Sequence, residues 1–298
     1  MPQNTIFDAE IVVPSSEIAA RASTLVGFGT RYARVHDQLR LLLNADAVSD
    51  WNRRHHGGRL VIGDRAADQY PLVIFHGDVG TGKTAMAEAI ANGLMTEARA
   101  EDSMLFRLSN RVRGSGMVGE MGSLLSEAFT RVVAAVGKHR RAVLIIDEGD
   151  SIAASRSQDH SHHEDKVAVN TLIQHIDDLR QYKGRIAVIL CTNRLSVVDP
   201  ALLRRAAIIE EFRRPTDAER SELLHVDLNG LKLSAAQIAE LVKVTGGRGD
   251  APGWTYSDFR TRFYPAAVAK AFPDVPLGYD HLLSTAREMG GSRVMEDR

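Results

Sequence analysis

The chain carries 298 residues, 44% hydrophobic and 25% charged, with Lys+Arg 37 against Asp+Glu 38 for a net charge of -1. That composition excludes a mostly disordered chain, and the balanced charge gives no support to a broadly basic nucleic-acid binder. The single cysteine, Cys191, excludes an internal disulfide framework and a cysteine-built zinc site.

The N-terminus MPQNTIFDAE has no basic stretch followed by an apolar core, so no signal peptide is read there. No apolar run approaches the roughly 20 residues that span a membrane, so the expected location is the cytoplasm. Residues 1–20 read as a poorly patterned arm, and TRYARVHDQLRLLLNADAVSDW after it as helical. Short apolar runs then alternate with helical patterns. LVIF (72–75), MLFRL (104–108), AVLIID (142–147), IAVILC (186–191) and AIIEEF (207–212) read as strands, the third and fourth central. KTAMAEAIANGLM, GSLLSEAFTRVVAAV and HEDKVAVNTLIQHIDDLR are the helices between them. This alternation predicts a parallel sheet covered on both faces. Cys191 falls inside a strand and reads as a small buried hydrophobe. Past Pro215 the strand signal fades. TDAERSELLHVDL, SAAQIAELVKVT, YSDFRTRFYPAAVAKAF and YDHLLSTAREM read as helices joined by Gly/Pro-rich turns. The expected division is an arm over 1–20, a large α/β nucleotide-binding domain over 21–214 and a helical lid over 215–298.

GDVGTGKT matches G-x-x-x-x-G-K-[ST] between a strand and a helix, the setting of a phosphate loop. Its residues are Gly77, Asp78, Val79, Gly80, Thr81, Gly82, Lys83 and Thr84. Glycine lets backbone N–H groups curl round phosphate, and the helix N-terminus adds partial positive charge. Lys83 is expected on the β- and γ-phosphates of ATP, and the Thr84 hydroxyl on Mg²⁺. VLIIDE then ends in Asp147, placed to hold Mg²⁺ through water, and Glu148, placed to accept a proton from, or orient, the attacking water. Two adjacent acids at the end of a core strand carry a desolvation cost that an idle pair does not justify. Asn193, in CTN at the next strand tip, is placed to contact the γ-phosphate or the water. In VVDPALLRRAA, Asp199 caps a short helix with Pro200 at its first position, leaving Arg204 and Arg205 at the far end. Either they favour a helix C-terminus, or one reaches the ATP site of a neighbouring subunit, where such a finger is worth roughly 10³–10⁵ in rate.

Phosphate loop, Asp-Glu strand, strand-tip Asn, DPALLRR and a trailing helical segment together resemble the AAA+ ATPases, over about residues 20 to 290. Within that class, DPALLRRAAIIEEFRRP and HHEDKVAVNTLIQHIDDLRQYKGRIAVILCTNRLSVVD resemble the ATPases that remodel HORMA-domain proteins, the pachytene-checkpoint and thyroid-receptor-interactor type. The match is to bacterial members found with CBASS anti-phage systems. The resemblance implies a P-loop AAA+ fold with a small all-helical lid, a homo-hexamer, and ATP with Mg²⁺. Its implied role is to pull a HORMA-domain protein off its cyclic-oligonucleotide synthase, restraining the alarm. It favours Arg205 over Arg204 as the finger. It implies a γ-phosphate contact from the lid by Arg260, with Arg262 two residues away, and an adenine contact by Val26 and Gly27.

The same resemblance places Met117, Val118 and Gly119 of RGSGMVGEMG in a pore loop that grips substrate polypeptide. A flexible apolar Met holds many sequences without choosing among them; the other reading packs Met117 and Val118 into the core at the start of the next helix. The chain departs from the family at Asp78 and Val79, where two prolines are usual, and in a Met-Val pore pair without an aromatic. The roughly 20 residues of the arm are too few for an adaptor-binding domain, so direct engagement of the HORMA partner is expected. His160, His162, His163 and Glu164 do not match H-E-x-x-H and read as a solvated, second pore-facing loop. A reading of a different class, a DNA-associated AAA+ switch such as a helicase loader or transposition regulator, predicts salt-sensitive DNA binding.

Overall fold

The computed structural model of the chain describes residues 6–295 other than 59, 101, 114–118, 155–162 and 250. Met117 and Val118, and His160 and His162, lie outside the described residues, as do the side chains of His163 and Glu164.

The chain opens with β1 (Phe7–Val13), α1 (Ser16–Ala22), α2 (Phe28–Leu43), α3 (Ala45–His56) and α4 (Val61–Ala67). There follow β2 (Leu72–Gly77), α5 (Lys83–Glu97), β3 (Ser103–Leu108), α6 (Glu120–Val136), β4 (Ala142–Ile146), α7 (His163–Leu179), β5 (Ile186–Thr192), α8 (Pro200–Leu203) and β6 (Ala206–Phe212). The six strands form one sheet in the order β1-β3-β4-β5-β2-β6. All neighbours are parallel except β1, which runs antiparallel to β3 with Phe7 opposite Leu108 and Val13 opposite Ser103. The segment expected as an unpatterned arm therefore supplies an edge strand. Its alternation of buried and exposed positions is that of a strand with one face on the core, blurred in sequence by Asp8 and Glu10 on the other.

Strands β4 and β5 are buried along their whole length. Period-two alternation splits their apolar side chains between two layers. Leu72, Ile74, Leu144, Ile146, Val188 and Leu190 pack with Leu125 and Phe129 of α6 and Leu172 and Ile176 of α7. Val73, Phe75, Val143, Ile145 and Ile189 pack on the other face with Leu39 of α2 and Ile90 of α5. The result is an α/β sheet with helices on both sides. The helical stretch read after the arm breaks at Asn44 (φ -133, ψ 50), so α2 and α3 are separate helices.

Beyond β6 the chain is helical: α9 (Asp217–Asp227), α10 (Ala235–Val244), a π-helical turn over Asp258–Phe263, α11 (Tyr264–Ala271) and α12 (Tyr279–Glu288). Capping boxes start the first two, Thr216 with Glu219 and Ser234 with Gln237. These helices close over their own cluster of Leu223, Leu241, Trp254, Phe259, Phe263 and Leu282, with the Trp254 ring 5.3 Å from both phenylalanines. Val26, from the segment ahead of α2, is buried in this cluster.

Candidate functional site

The phosphate loop, the Asp147–Glu148 pair and Asn193 sit at or just beyond the C-terminal ends of β2, β4 and β5. Because β5 pairs with both β4 and β2, the sheet order brings the three tips side by side. In an open parallel sheet this edge is where ligands bind. At the end of β2, Gly77 has φ +138, and a Cβ there would stand 2.0 Å from the Phe212 carbonyl oxygen, so no side chain fits against β6. Gly80 (φ +77) has Ser257 and Thr255 in the space a Cβ would take, and the Ser257 N–H donates to its carbonyl at 3.2 Å. Gly82 (φ +90) is the N-cap of α5. The loop thus turns straight into a helix N-terminus while the helical region touches it from above.

Lys83, the first residue of α5, is 6% exposed. Its Nζ donates to the carbonyls of Gly77 at 2.8 Å and Asp78 at 2.9 Å, and to Asn193 Oδ1 at 2.9 Å. Burial holds its pKa below the ordinary lysine value. The Thr84 hydroxyl donates to Asp147 Oδ2 at 2.7 Å, and the Glu148 N–H to Asp147 Oδ1 at 2.9 Å. A hydroxyl and a carboxylate oxygen held together form the hard-oxygen set that Mg²⁺ takes, so these residues fit that ion. Glu148 is exposed with φ 50 and ψ 45, a left-handed conformation that costs an L-residue about 1 kcal/mol or more. Such strain persists where the surroundings hold it, and here it presents a carboxylate at the strand tip. Asp150 joins the tip of β5, accepting from the Thr192 hydroxyl at 3.3 Å. A cleft of about 380 Å³ opens beside the start of the loop, lined by Gly77, Asp78, Asn193, Phe212, Arg214 and Met295.

The arginines that the resemblance singled out are paired within their own chain. Arg205, the favoured finger, is held inside its own chain: Nε and Nη2 donate to both oxygens of Asp177 at 2.6 and 2.9 Å, and its guanidinium lies 5.3 Å from the Tyr70 ring. Arg204 beside it is exposed. Arg260 donates through Nε and Nη2 to the two carboxylate oxygens of Asp227, both at 2.9 Å, and to the Thr24 carbonyl at 2.7 Å. Arg262 donates to Asp258 at 3.0 Å. Neither is brought to the phosphate loop. Val26 is buried under the helical region, whereas Gly27 lines a second cleft of about 530 Å³ with Arg31, Arg214 and Glu219. Gly119 caps α6 with φ 85, next to Met117 and Val118 outside the described residues.

Sequence reasoning missed Arg214. It follows β6 and donates to Asp78 of the phosphate loop at 2.6 Å and to the Gly253 carbonyl at 2.6 Å. The only local signal was the double arginine in FRRP.

Residues 73–214 match the family described as "ATPase family associated with various cellular activities (AAA)". The chain is 58% identical over 297 residues, covering 100% of both chains, to CD-NTase-associated protein 6 of Escherichia coli strain KTE188. It superposes with TM-score 0.89 and 36% identity, over 97% of each chain, on a chain of the structure "E. coli MS115-1 HORMA:CdnC:Trip13 complex". The Rhizobiales Trip13 structure matches with TM-score 0.72 and 31% identity over 96% of this chain and 99% of that one.

Proposed function

We propose a function from the premise that this chain belongs to the AAA family of ATPases and is a relative of CD-NTase-associated protein 6. As a member it binds nucleotide and hydrolyses ATP to ADP and phosphate. Our reading is that it forms a cytoplasmic homo-hexamer that remodels a HORMA-domain protein, freeing it from a cyclic-oligonucleotide synthase and so restraining anti-phage signalling. The observation that carries this reading is the structural match, over 97% of each, to a chain of the HORMA:CdnC:Trip13 complex structure. Among the described residues no helix is long and apolar enough to cross a membrane.

In this reading the loop Gly77–Thr84 wraps the phosphates and Lys83 exchanges its carbonyl partners for the β- and γ-oxygens. Thr84 and Asp147 would hold Mg²⁺, which would supply charge neutralisation for the phosphates. Glu148 takes a proton from the attacking water or orients it, and Asn193, already on Lys83, aligns that water or the γ-phosphate. Arg204 is the finger we assign across the subunit interface, with Arg205 tied to Asp177 to fix the end of α8. Gly27 lines the adenine side. Met117, Val118 and Gly119 grip the substrate. We divide the chain into a nucleotide-binding unit to about residue 214 and a lid over 215–298.

The test is a trap. Glu148→Gln binds ATP without hydrolysing it, and mass action holds the ring on whatever it grips. Tagged Glu148→Gln, recovered from its native host with ATP, is expected to retain a HORMA-domain protein, and Glu148→Gln with Met117→Ala to lose it. Recovery of DNA-bound replication or transposition proteins, indifferent to Met117, would replace this reading with the DNA-associated one.

A further inference from the structure

The phosphate loop contains its own anion. Asp78 stands at the second position of a loop whose N–H groups and helix N-terminus are arranged to attract negative charge. An uncompensated carboxylate there opposes the phosphates of any nucleotide the loop accepts. The side chains of Asp78 and Arg214 are 11% and 13% exposed, so solvent does little to cancel that repulsion.

Arg214 compensates it. Nε donates to Asp78 Oδ2 at 2.6 Å, Nη1 to the Gly253 carbonyl at 2.6 Å and Nη2 to the Arg293 carbonyl at 3.0 Å. The other oxygen, Asp78 Oδ1, accepts from the Val79 N–H at 2.8 Å and from the Met295 N–H at 3.2 Å. One guanidinium thereby joins the phosphate loop, the turn that leads into Trp254 of the lid core, and the segment 293–295 that lines the cleft beside the loop. Arg214 itself lies between the end of β6 and Thr216, the N-cap of α9. It occupies the junction between sheet and helices.

We propose that Asp78 and Arg214 are a positioning pair for ATP hydrolysis: Arg214 cancels the charge of Asp78 so that the loop accepts a nucleoside di- or triphosphate. By the same contacts it fixes the lid turn against the loop that the nucleotide fills. This rests on the reading that residues 77–84 hold the phosphates. The counter-charge for Asp78 is supplied from 136 residues away. Arg214 acts through Asp78 and need not touch the nucleotide.

The experiment measures ADP affinity by calorimetry and the ATP KM in four full-length variants, Arg214→Ala, Arg214→Lys, Asp78→Asn, and Asp78→Asn with Arg214→Ala. Arg214→Ala is expected to weaken ADP binding and raise KM about tenfold to a hundredfold, the effect of one unpaired charge near a polyanion at low screening. Arg214→Lys keeps the charge and is expected to bind within about threefold of the parent chain. The double variant carries neither charge and recovers most of the loss. A double variant as weak as Arg214→Ala overturns the proposal, because a purely structural arginine is not rescued by neutralising Asp78. Should Arg214→Ala not fold, Asp78→Asn decides. It leaves a cation at the loop and is expected to tighten ADP binding, and unchanged affinity overturns the proposal. Lys83→Ala separates the premise from the inference. If Lys83→Ala binds ADP like the parent chain, the phosphate-loop reading itself fails. If Lys83→Ala loses binding while Arg214→Ala keeps it, only the pairing fails.

Discussion

Lys83 and Asn193 meet at a single hydrogen bond, 2.9 Å from Nζ to Oδ1, with the amide NH₂ of Asn193 left for what occupies the cleft. Two roles follow from one side chain: its oxygen steadies the ammonium that binding needs, and its donor end serves the reacting group. Binding also draws on the rest of the loop, whereas alignment of the reaction draws on Asn193 more narrowly. Asn193→Ala is therefore expected to lower kcat about a hundredfold, the usual cost of one preorganised donor, with a much smaller loss of ADP affinity. Equal losses in steady-state hydrolysis and in ADP titration would make Asn193 a binding residue and no more. These residues were legible in sequence because each is the end of a short motif closing an apolar strand, so local spacing carries the information. Arg214 and the intrachain partner of Arg205 were not legible. The paired aspartates, Asp78 and Asp177, lie 136 and 28 residues from these arginines, and only the folded chain brings them together.

Among the elements, the buried parallel strands could be read because both their faces are covered, leaving continuous apolar runs such as AVLII in β4. Edge strand β1 could not, since its outward positions include Asp8 and Glu10 and its pairing with β3 spans 90 to 101 residues. The seam between α6 and α7 shows how helices are matched beyond their periodicity. A Cβ on Gly122 would come within 3.3 Å of Val167, so the helices approach closely there. Further along, the His175 ring stacks on Phe129 with centroids 4.7 Å apart and 7° between planes, and Nε2 lies 3.1 Å from the Ser126 hydroxyl. Burial pushes the His175 pKa below its ordinary value of 6.5, against a smaller opposing pull from Asp178. The unfolded chain therefore binds the proton more readily than the folded one. Stability from this group is present in full above pH 6.5 and is lost as the pH falls through the depressed folded value. In melting curves the drop in Tm from pH 7.5 to pH 5 is expected to be larger for the parent chain than for His175→Gln, which has no proton to gain. Identical drops would mean that His175 titrates as it does in the unfolded chain.

At the scale of the whole molecule, the groups we assign to binding phosphates and aligning water all come from the same sheet edge. Among the described residues, Lys83 is the buried cation already in place at that edge, and Arg205 and Arg260 are each paired with an aspartate elsewhere. Arg204 is exposed at the far end of α8, where it can serve a neighbouring copy. In the ring we propose, a head-to-tail contact repeated around the closed assembly would supply each site with the next subunit's arginine. The proposal therefore concerns geometry between chains, and mixing tests it. Lys83→Ala subunits lack a working phosphate loop but keep Arg204; Arg204→Ala subunits keep the loop and lack the finger. Each variant alone is expected to hydrolyse ATP at least about a thousandfold more slowly than the parent chain. A one-to-one mixture, allowed to exchange subunits, places an intact loop opposite an intact arginine at about a quarter of interfaces by random assortment. Basal hydrolysis, which needs one competent interface, is then expected to rise far above either component. Arg205→Ala in place of Arg204→Ala is expected to show no such gain, because its contacts with Asp177 and Tyr70 lie within one chain. If only the Arg205 mixture recovers, the finger is Arg205 and its bond to Asp177 breaks on assembly. If neither recovers, no finger acts in trans and the ring is not needed for hydrolysis.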